Sequence, residues 1–309
     1  MKLIRGIHNI RLHHQKCVLT IGNFDGVHRG HQAILSRVKF LASEYRVPSC
    51  IMIFEPQPRE FFSSDNAPGR ITQLRDKVRL LEGQGIDYVL VMPFNKNLQQ
   101  LTAREFCRSI LTDGLQVRHL VVGDDFRFGC DRQGDFNYLN QFGIEHDFVV
   151  ENTTSVVTQK QERVSSSLIR SLLKESDIAQ AEIALGHPVE LSGRIVRGKQ
   201  LGRTLGFPTA NVHLKSAKPA LTGVYAVLLV HNGIEYPSVA NIGTRPTVDG
   251  VQTILEVNIF GFTGDLYGEY VNVRFCQFIR DERKMAGLEE LEKQIQLDKE
   301  KAQHYFINQ

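Results

Sequence analysis

The strongest constraint on the fold is a change of sequence pattern at Gly186-His187-Pro188, a triplet that ends a helical stretch. Before it, short apolar runs of strand length alternate with helical patterns. After it, strand-like runs follow one another, separated by Gly, Pro, Asn and Asp turns. A chain of 309 residues that is 42% hydrophobic can bury two cores. We therefore predict two domains, residues 1–186 and 187–309.

The first half alternates strands with helices, which predicts an α/β, Rossmann-like parallel sheet with helices on both faces. Leu74, Val78 and Leu81 recur at helical spacing, and Thr102 with Glu105 forms a capping box before another helix. Ligands of such sheets bind at the carboxyl ends of the strands. The predicted strands are Val18–Ile21, Cys50–Phe54, Tyr88–Met92, His119–Val122 and Glu145–Val150.

The second half predicts a small antiparallel β-barrel with a C-terminal helix, because its apolar runs are short and no helical pattern intervenes until residue 288. The predicted strands are Val189–Val196, Tyr225–Val230, Ser238–Ile242, Ile254–Ile259 and Tyr270–Phe275, and the predicted helix is Leu288–Phe306.

Charge and composition exclude several classes of protein. The net charge of +3 is too balanced for a protein that coats nucleic acid or an anionic membrane. No apolar run approaches the ~20 residues of a membrane helix, and the first residues lack the apolar core of a signal peptide. Five cysteines without a CxxC pair indicate reduced thiols. We expect a soluble, cytoplasmic protein without nucleic-acid or membrane partners, either a monomer or a weak homo-oligomer.

A glycine-rich loop follows the first predicted strand, in the stretch TIGNFDGVHRGHQAIL that begins at Thr20. A loop of this kind before a helix presents free backbone N–H groups and a positive dipole end, which suit a phosphate. His28 and His31 stand at i and i+3 where the helix begins, so both can face one anion. The alternative is a tight turn with two solvated histidines. A zinc-type pair would need further ligands at recognisable spacing.

The second half contains a near match to a phosphate-binding P-loop in GRIVRGKQLGRTLGFPTANV, which begins at Gly193. Gln200 stands where a Walker A motif has Ser or Thr, so we do not predict a true P-loop. Glu256 lies in the apolar pattern Ile254–Val257. It is either a solvent-facing strand carboxylate or a general base.

Several longer motifs occur in the order of one known family. GNFDGVHRGH, FEPQPRE, GDDFRFG and VSSSLIR resemble the nucleotidyltransferase half of the bacterial bifunctional riboflavin kinase/FAD synthetases. PTAN, GVYAV, ANIGTRPTV, LEVNIF and DLYG resemble its riboflavin kinase half. The resemblance covers nearly the whole chain. It implies phosphorylation of riboflavin by ATP to FMN and ADP, and then adenylylation of FMN by ATP to FAD and pyrophosphate, with Mg²⁺ as cofactor.

At the adenylyltransferase site, the resemblance implies that His28 and His31 act in catalysis on the ATP phosphates. The implied ATP-binding residues are Gly22, Asn23, Phe24, Asp25, Gly26, His28, His31, Ser165, Ser166 and Arg170. The implied flavin-binding residues are Asp124, Asp125, Phe126 and Arg127. From the residues alone, SSSLIR is also compatible with a serine-capped helix start, and GDDF with a turn beside a core Phe.

At the kinase site, the resemblance implies that Glu256 is the catalytic base and that it contacts the flavin together with Arg280. The implied ATP-binding residues are Gly198, Lys199, Gly202, Pro208, Thr209 and Asn211. Mg²⁺ would bind to Thr209 and Asn211. The chain departs from the family at Asn258, where His is common, and at Met285, where Phe is common.

Two other classes of function compete with this interpretation. A flavin-nucleotide carrier could retain the fold without catalysis, but the catalytic residue types implied by the resemblance are present. An RNA-binding barrel would need exposed aromatic residues interleaved with a basic stripe. Only Arg194, Arg197, Lys199 and Arg203 cluster, without aromatic residues between them.

Overall fold

The computed structural model describes residues 1–63, 66–153, 156–157, 161–198, 207–214, 218–247 and 250–309. They form two compact units. The first unit comprises Met1–Pro68 and Lys77–Ser165, and the second comprises Gly69–Asp76 and Ser166–Gln309. The predicted division of the activities at residue 186 stays a prediction.

The first unit contains a six-stranded parallel sheet in the order β1-β4-β3-β2-β5-β6, which confirms the predicted α/β class. Its strands are β1 (Lys2–Arg5), β2 (Val18–Ile21), β3 (Ser49–Glu55), β4 (Tyr88–Pro93), β5 (His119–Gly123) and β6 (Val149–Thr153). The helices in this part of the chain are α1 (Arg29–Tyr45), α2 (Pro58–Phe62), α3 (Leu74–Gly83), α4 (Lys96–Gln100), α5 (Ala103–Phe106, continued by a π-helical turn over Cys107–Thr112) and α6 (Phe136–Glu145).

The central strands are buried on both faces, which is why they are near-continuous apolar runs in the sequence. All four residues of β2 are buried, and so are the first five of β3. The predicted capping box is present, since Thr102 Oγ1 accepts from the Glu105 N–H and the Glu105 carboxylate accepts from the Thr102 N–H. The sequence pattern therefore placed these elements correctly.

The strand predicted at Glu145–Val150 is present, but it begins later, at Val149, and runs to Thr153. Asp135 caps α6 by accepting the N–H of Tyr138, and the helix runs through Glu145. Asp147 then takes a left-handed conformation (φ 58°), which turns the chain before β6 begins at Val149. Only Val149 and Val150 of the predicted segment lie in the strand, because its first residue ends α6 and the next three connect the two elements.

The second unit contains a closed antiparallel barrel in the order β10-β11-β8-β7-β12-β9, followed by a long helix, as predicted. Its strands are β7 (Glu190–Val196), β8 (Ala210–His213), β9 (Gly223–His231), β10 (Ile234–Thr247), β11 (Gly250–Ile259) and β12 (Tyr270–Arg280). Its remaining helices are α7 (Ser166–Lys174), α8 (Ile178–Leu185) and α9 (Leu288–Ile307). Gly186 ends α8 in the left-handed conformation (φ 76°), as its position predicted.

Residues Gly69–Asp76 are built into the second unit although they precede most of the first in sequence. The carboxylate of Asp76 accepts from Ser192 Oγ (2.5 Å) and from the Ser192 N–H (3.2 Å), and both residues are buried. Arg70 pairs through its backbone with Lys218 and Ala220. Among the residues described, none of the helices has the length and apolar character that a bilayer crossing requires.

Candidate active sites

The first candidate site lies where the strand order of the parallel sheet reverses. From β2 the chain continues to β3 and β4 on one side, and later returns to β5 on the other side of β2. Open α/β sheets bind ligands outside the carboxyl ends of strands at such a switch point. The loop 22–28 leaves β2 there, and the loop 124–128 leaves β5.

The loop after β2 is held in an uncommon backbone conformation. Phe24 (φ 47°), Gly26 (φ 86°) and Val27 (φ 40°) are all left-handed, which is costly for a β-branched valine. Phe24 and Val27 are buried, so packing holds them in place. The loop brings His28 to the N-cap of α1, directly after the end of a central strand.

The two histidines of this loop form a stacked pair. Their ring centroids are 3.5 Å apart at an interplanar angle of 19°. The His31 N–H donates to His28 Nδ1 (3.3 Å), which places the proton of a neutral His28 on Nε2. Burial, together with His28 and Lys77 nearby, holds the pKa of His31 well below its usual value. His31 is therefore a neutral hydrogen-bonding ring at pH 7, not a cation.

The serine motif begins close to this pair. A Cβ on Gly30 would lie 3.1 Å from the His28 ring and 3.1 Å from the Val164 carbonyl oxygen, so both groups pack closely against the backbone of this glycine. Ser165 follows Val164 in the first unit, whereas Ser166 and Arg170 belong to the second. Arg170 Nε donates to the Gly69 carbonyl (2.7 Å). Binding of ATP by Ser165, Ser166 and Arg170 stays a prediction.

The loop after β5 is organised by a residue that the motifs did not single out. Arg163 pairs with Asp124 (2.9 Å) and with Asp125 (3.4 Å). Arg127 is paired with the N-cap residue of α6, Asp135 (3.0 Å). The signal for Arg163 was its place immediately before VSSSLIR, which is too weak to use without the fold.

A cluster of four phenylalanines, which come from the end of β3, from α2 and from the residue after β4, was also missed. Phe94 lies 5.8 Å from Phe54, 5.3 Å from Phe61 and 5.7 Å from Phe62, measured between ring centroids. Phe62 is 61% exposed, so the cluster presents an aromatic surface to solvent. The pair Phe61-Phe62 after FEPQPRE was a signal, but its partners come from a different stretch of chain.

The second candidate site lies on the outer face of the barrel. Glu256 on β11 pairs in register with Asn211 on β8 and with Asn241 on β10. Its neighbours Leu255 and Val257 are fully buried, so the side chain of Glu256 faces outward. Thr209 immediately precedes β8. The barrel therefore brings three of the kinase motifs, PTAN, LEVNIF and ANIGTRPTV, into one cross-strand row.

Two contacts fix the PTAN segment. A Cβ on Gly198 would overlap the side-chain amide of Asn211, so this glycine lies directly against it. Asn258 Nδ2 donates to the Pro208 carbonyl oxygen (2.8 Å), which shows what the residue that departs from the family pattern does here. The predicted ATP-binding residues Lys199 and Gly202 lie outside the described residues.

The guanidinium of Arg280 forms hydrogen bonds within the protein. It binds the carboxylate of Asp298 through Nε (2.9 Å) and Nη2 (2.7 Å), and Nη1 donates to the Asp281 carbonyl (2.8 Å). Asp298 is 4% exposed and lies on α9. These contacts tie β12 to α9, and binding of flavin by Arg280 stays a prediction.

Comparisons with known proteins match the two parts of the chain to two enzyme families. A family model described as FAD synthetase matches residues 10–168, and one described as riboflavin kinase matches residues 185–306. A "bifunctional riboflavin kinase/FMN adenylyltransferase" of Pseudomonas fluorescens is 50% identical over 96% of both chains. The protein of that name in Escherichia coli (strain K12) is 47% identical over 99% of this chain and 98% of its own. A crystal structure titled macrolide-efflux protein, from Streptococcus pneumoniae, superposes with a TM-score of 0.78 at 28% identity, over 96% of this chain and 97% of that one.

Proposed function

The chain belongs to the family of bifunctional riboflavin kinase/FMN adenylyltransferases, and on that premise we propose which of its residues carry each activity. It phosphorylates riboflavin with ATP to give FMN and ADP, and it adenylylates FMN with ATP to give FAD and pyrophosphate. We assign the adenylyl transfer to residues 1–186 and the kinase to residues 187–309. The two family models, which match in that order, support the assignment.

Adenylyl transfer needs positioned donors more than it needs a base. An oxygen of the FMN phosphate attacks the α-phosphorus of ATP, and the bond to pyrophosphate breaks. The nucleophile is already ionised, so the site has to orient the phosphates and stabilise the charge that develops. The stacked pair of His28 and His31 carries this proposal, because it places two imidazole rings, that of His31 neutral, at a helix N-terminus beside the switch point. Gly22–Gly26 supply the backbone of that loop.

The flavin of FMN needs a flat apolar surface near the same strand ends. We assign the isoalloxazine ring to the cluster of Phe54, Phe61, Phe62 and Phe94, because the exposed ring of Phe62 and the half-buried rings beside it offer stacking and edge contacts. The loop Asp124–Arg127 would line the other side. Arg163 would hold the two aspartates of that loop in place.

Phosphorylation of riboflavin has a different requirement, because its acceptor is an alcohol. The ribityl 5′-hydroxyl attacks the γ-phosphorus of ATP, its proton passes to the Glu256 carboxylate, and ADP leaves. Thr209 Oγ1 and Asn211 Oδ1 are hard oxygen donors of the kind that Mg²⁺ prefers, so this segment fits the ion. When bound, Mg²⁺ would neutralise charge on the ATP phosphates. Gly198, which lies against the Asn211 amide, and Pro208 would line the nucleotide site.

A single assay tests the function. Purified protein is incubated with riboflavin, ATP and Mg²⁺, and the flavins are separated by chromatography. Successive appearance of FMN and FAD is expected. Retention of unchanged riboflavin on the protein, without formation of ADP, would instead support a flavin-binding carrier. We further propose a cytoplasmic location, a monomer or weak homo-oligomer, and no nucleic-acid or membrane partner.

A further inference from the structure

Asn241 is the direct cross-strand neighbour of Glu256. The two residues pair in register between β10 and β11. Ala240 and Ile242 on either side of Asn241 are buried, so its side chain points to the same outer face as that of Glu256. Directly opposed residues of an antiparallel pair have Cβ atoms about 4.5–5.5 Å apart. A small group bound to Glu256 is therefore within reach of the Asn241 amide.

Of the two polar atoms of the Asn241 side chain, one has a hydrogen-bond partner among the described residues and the other has none. Nδ2 donates to Glu282 Oε1 (3.1 Å). Oδ1 is buried and has no hydrogen-bond partner among the described residues. The opposite orientation of the amide would direct Oδ1 at the carboxylate, so the contact with Glu282 fixes which atom is the donor. Asn241 therefore offers a buried acceptor that can take one more hydrogen bond.

The Glu282 carboxylate packs against β10 at Gly243. A Cβ on Gly243 would overlap the Glu282 carboxylate, so the glycine leaves the space that this carboxylate fills. Glu282 itself is exposed and belongs to the segment 281–285, which forms neither helix nor strand. Its carboxylate can leave the amide without breaking a strand pair.

A carboxamide presents a donor and an acceptor side by side, and two neighbouring hydroxyls complement that pattern. The reacting 5′-hydroxyl gives its single proton to Glu256, so Asn241 has to take its hydrogen from a different hydroxyl. We propose that Asn241 determines substrate specificity in the kinase reaction: its amide binds the 4′-hydroxyl of the ribityl chain, and Glu282 holds that position until riboflavin arrives. The inference rests on the proposed kinase function.

The first test pairs a change in the enzyme with a change in the substrate. Wild type and Asn241→Ala are compared on riboflavin and on its 4′-deoxy analogue, with the 2′-deoxy analogue as control. Loss of the 4′-hydroxyl should lower kcat/KM of the wild type about 10- to 100-fold, because it leaves a buried acceptor unpaired. In Asn241→Ala the same loss should change kcat/KM less than about 3-fold. The 2′-deoxy penalty should be equal in both proteins.

The second test removes the group that holds the amide. Glu282→Ala should lower KM for riboflavin several-fold with little change in kcat, because substrate no longer displaces a carboxylate. Asp281→Ala, a neighbouring exposed carboxylate, is the matched control and should leave KM unchanged. These variants decide the question if the barrel of Asn241→Ala does not fold, which thermal unfolding of that variant beside the wild type would reveal.

The outcomes separate the two hypotheses. A wild-type chain that does not phosphorylate riboflavin would refute the kinase function itself. A chain that turns riboflavin over but shows the same 4′-deoxy penalty with and without Asn241 would refute the specificity role alone. An unchanged KM in Glu282→Ala would refute the role of Glu282 as a placeholder.

Discussion

At the scale of single residues, His31 is distinguished by being half-buried, neutral and stacked on His28. Removing it takes away a positioned ring without exposing a charge. We expect His31→Ala to lower FAD formation from FMN by roughly 10²–10³, the usual cost of one preorganised donor, while FMN formation from riboflavin continues. His8→Ala, an exposed histidine of the same unit, is the control. Equal loss of both activities would indicate general unfolding.

The depressed pKa of His31 also predicts how stability depends on pH. In the unfolded chain this ring takes up a proton near its usual pKa of 6.5, whereas in the folded chain it stays neutral. The free energy of unfolding should therefore fall as the pH drops below about 6.5, by at most about 1.4 kcal/mol per pH unit for one group. Burial lowers the pKa of His14 and His119 as well, so they add to the effect.

Thermal unfolding at pH 7.5 and 5.5 checks this prediction. His31→Gln should lose less stability on acidification than the wild type, because its side chain does not titrate. Parallel losses in the two proteins would assign the acid sensitivity to other groups.

Glu256 is tested by removing its ability to accept a proton. We expect Glu256→Gln to lower FMN formation about 10²–10⁴-fold, the usual contribution of general-base catalysis, with FAD formation from supplied FMN unchanged. Glu235→Gln, an exposed carboxylate on the neighbouring strand β10, should affect neither activity. Normal kinase turnover in Glu256→Gln would leave Glu256 as an ordinary strand carboxylate.

At the scale of elements, the short segment before β8 depends on how closely Gly198 approaches Asn211. Gly198→Ala should push that amide aside, because any Cβ overlaps it. We expect a higher KM for ATP in riboflavin phosphorylation and an unchanged KM for ATP in FMN adenylylation. Gly287→Ala is the control, because a Cβ there meets open space and the backbone is extended, and it should change neither KM. An unchanged kinase KM in Gly198→Ala would remove this contact from the ATP site.

Most elements could be predicted because their periodicity is local. Apolar patterns predict β2 and α9, and Gly186 predicts where α8 ends. The prediction missed β1 and β8, because Lys2–Arg5 and Ala210–His213 include charged and polar residues and lack the continuous apolar run of β2. The row of Asn211, Glu256 and Asn241 depends on strand register, and the aromatic cluster depends on the pairing of β3 with β4. Neither arrangement is encoded in any single stretch of sequence, so the motifs identified residues but not their partners.

At the scale of the whole molecule, the proposed kinase boundary at residue 187 cuts through the second compact unit. A fragment 187–309 loses the bond from the Val189 N–H to Glu182 Oε1 (3.2 Å) and the contact between Ser176 and Tyr225 (3.5 Å). We expect this fragment to fold and to phosphorylate riboflavin, but to melt at a lower temperature than a fragment 166–309. Calorimetry and the product assay on both fragments check this. An unfolded or inactive 187–309 would place the boundary earlier.

The second unit is formed by two separate stretches of the chain, and this determines when it can fold during translation. A ribosome releases the chain from its N-terminus, so residues 69–76 emerge long before β7 and the segment around Lys218 exist. The parallel sheet can assemble meanwhile from strands that are already complete. The hydrogen bond between Asp76 and Ser192 therefore cannot form until β4, β5 and β6 have been synthesised. Until translation reaches the barrel, this early stretch is a place where a chaperone could bind the nascent chain.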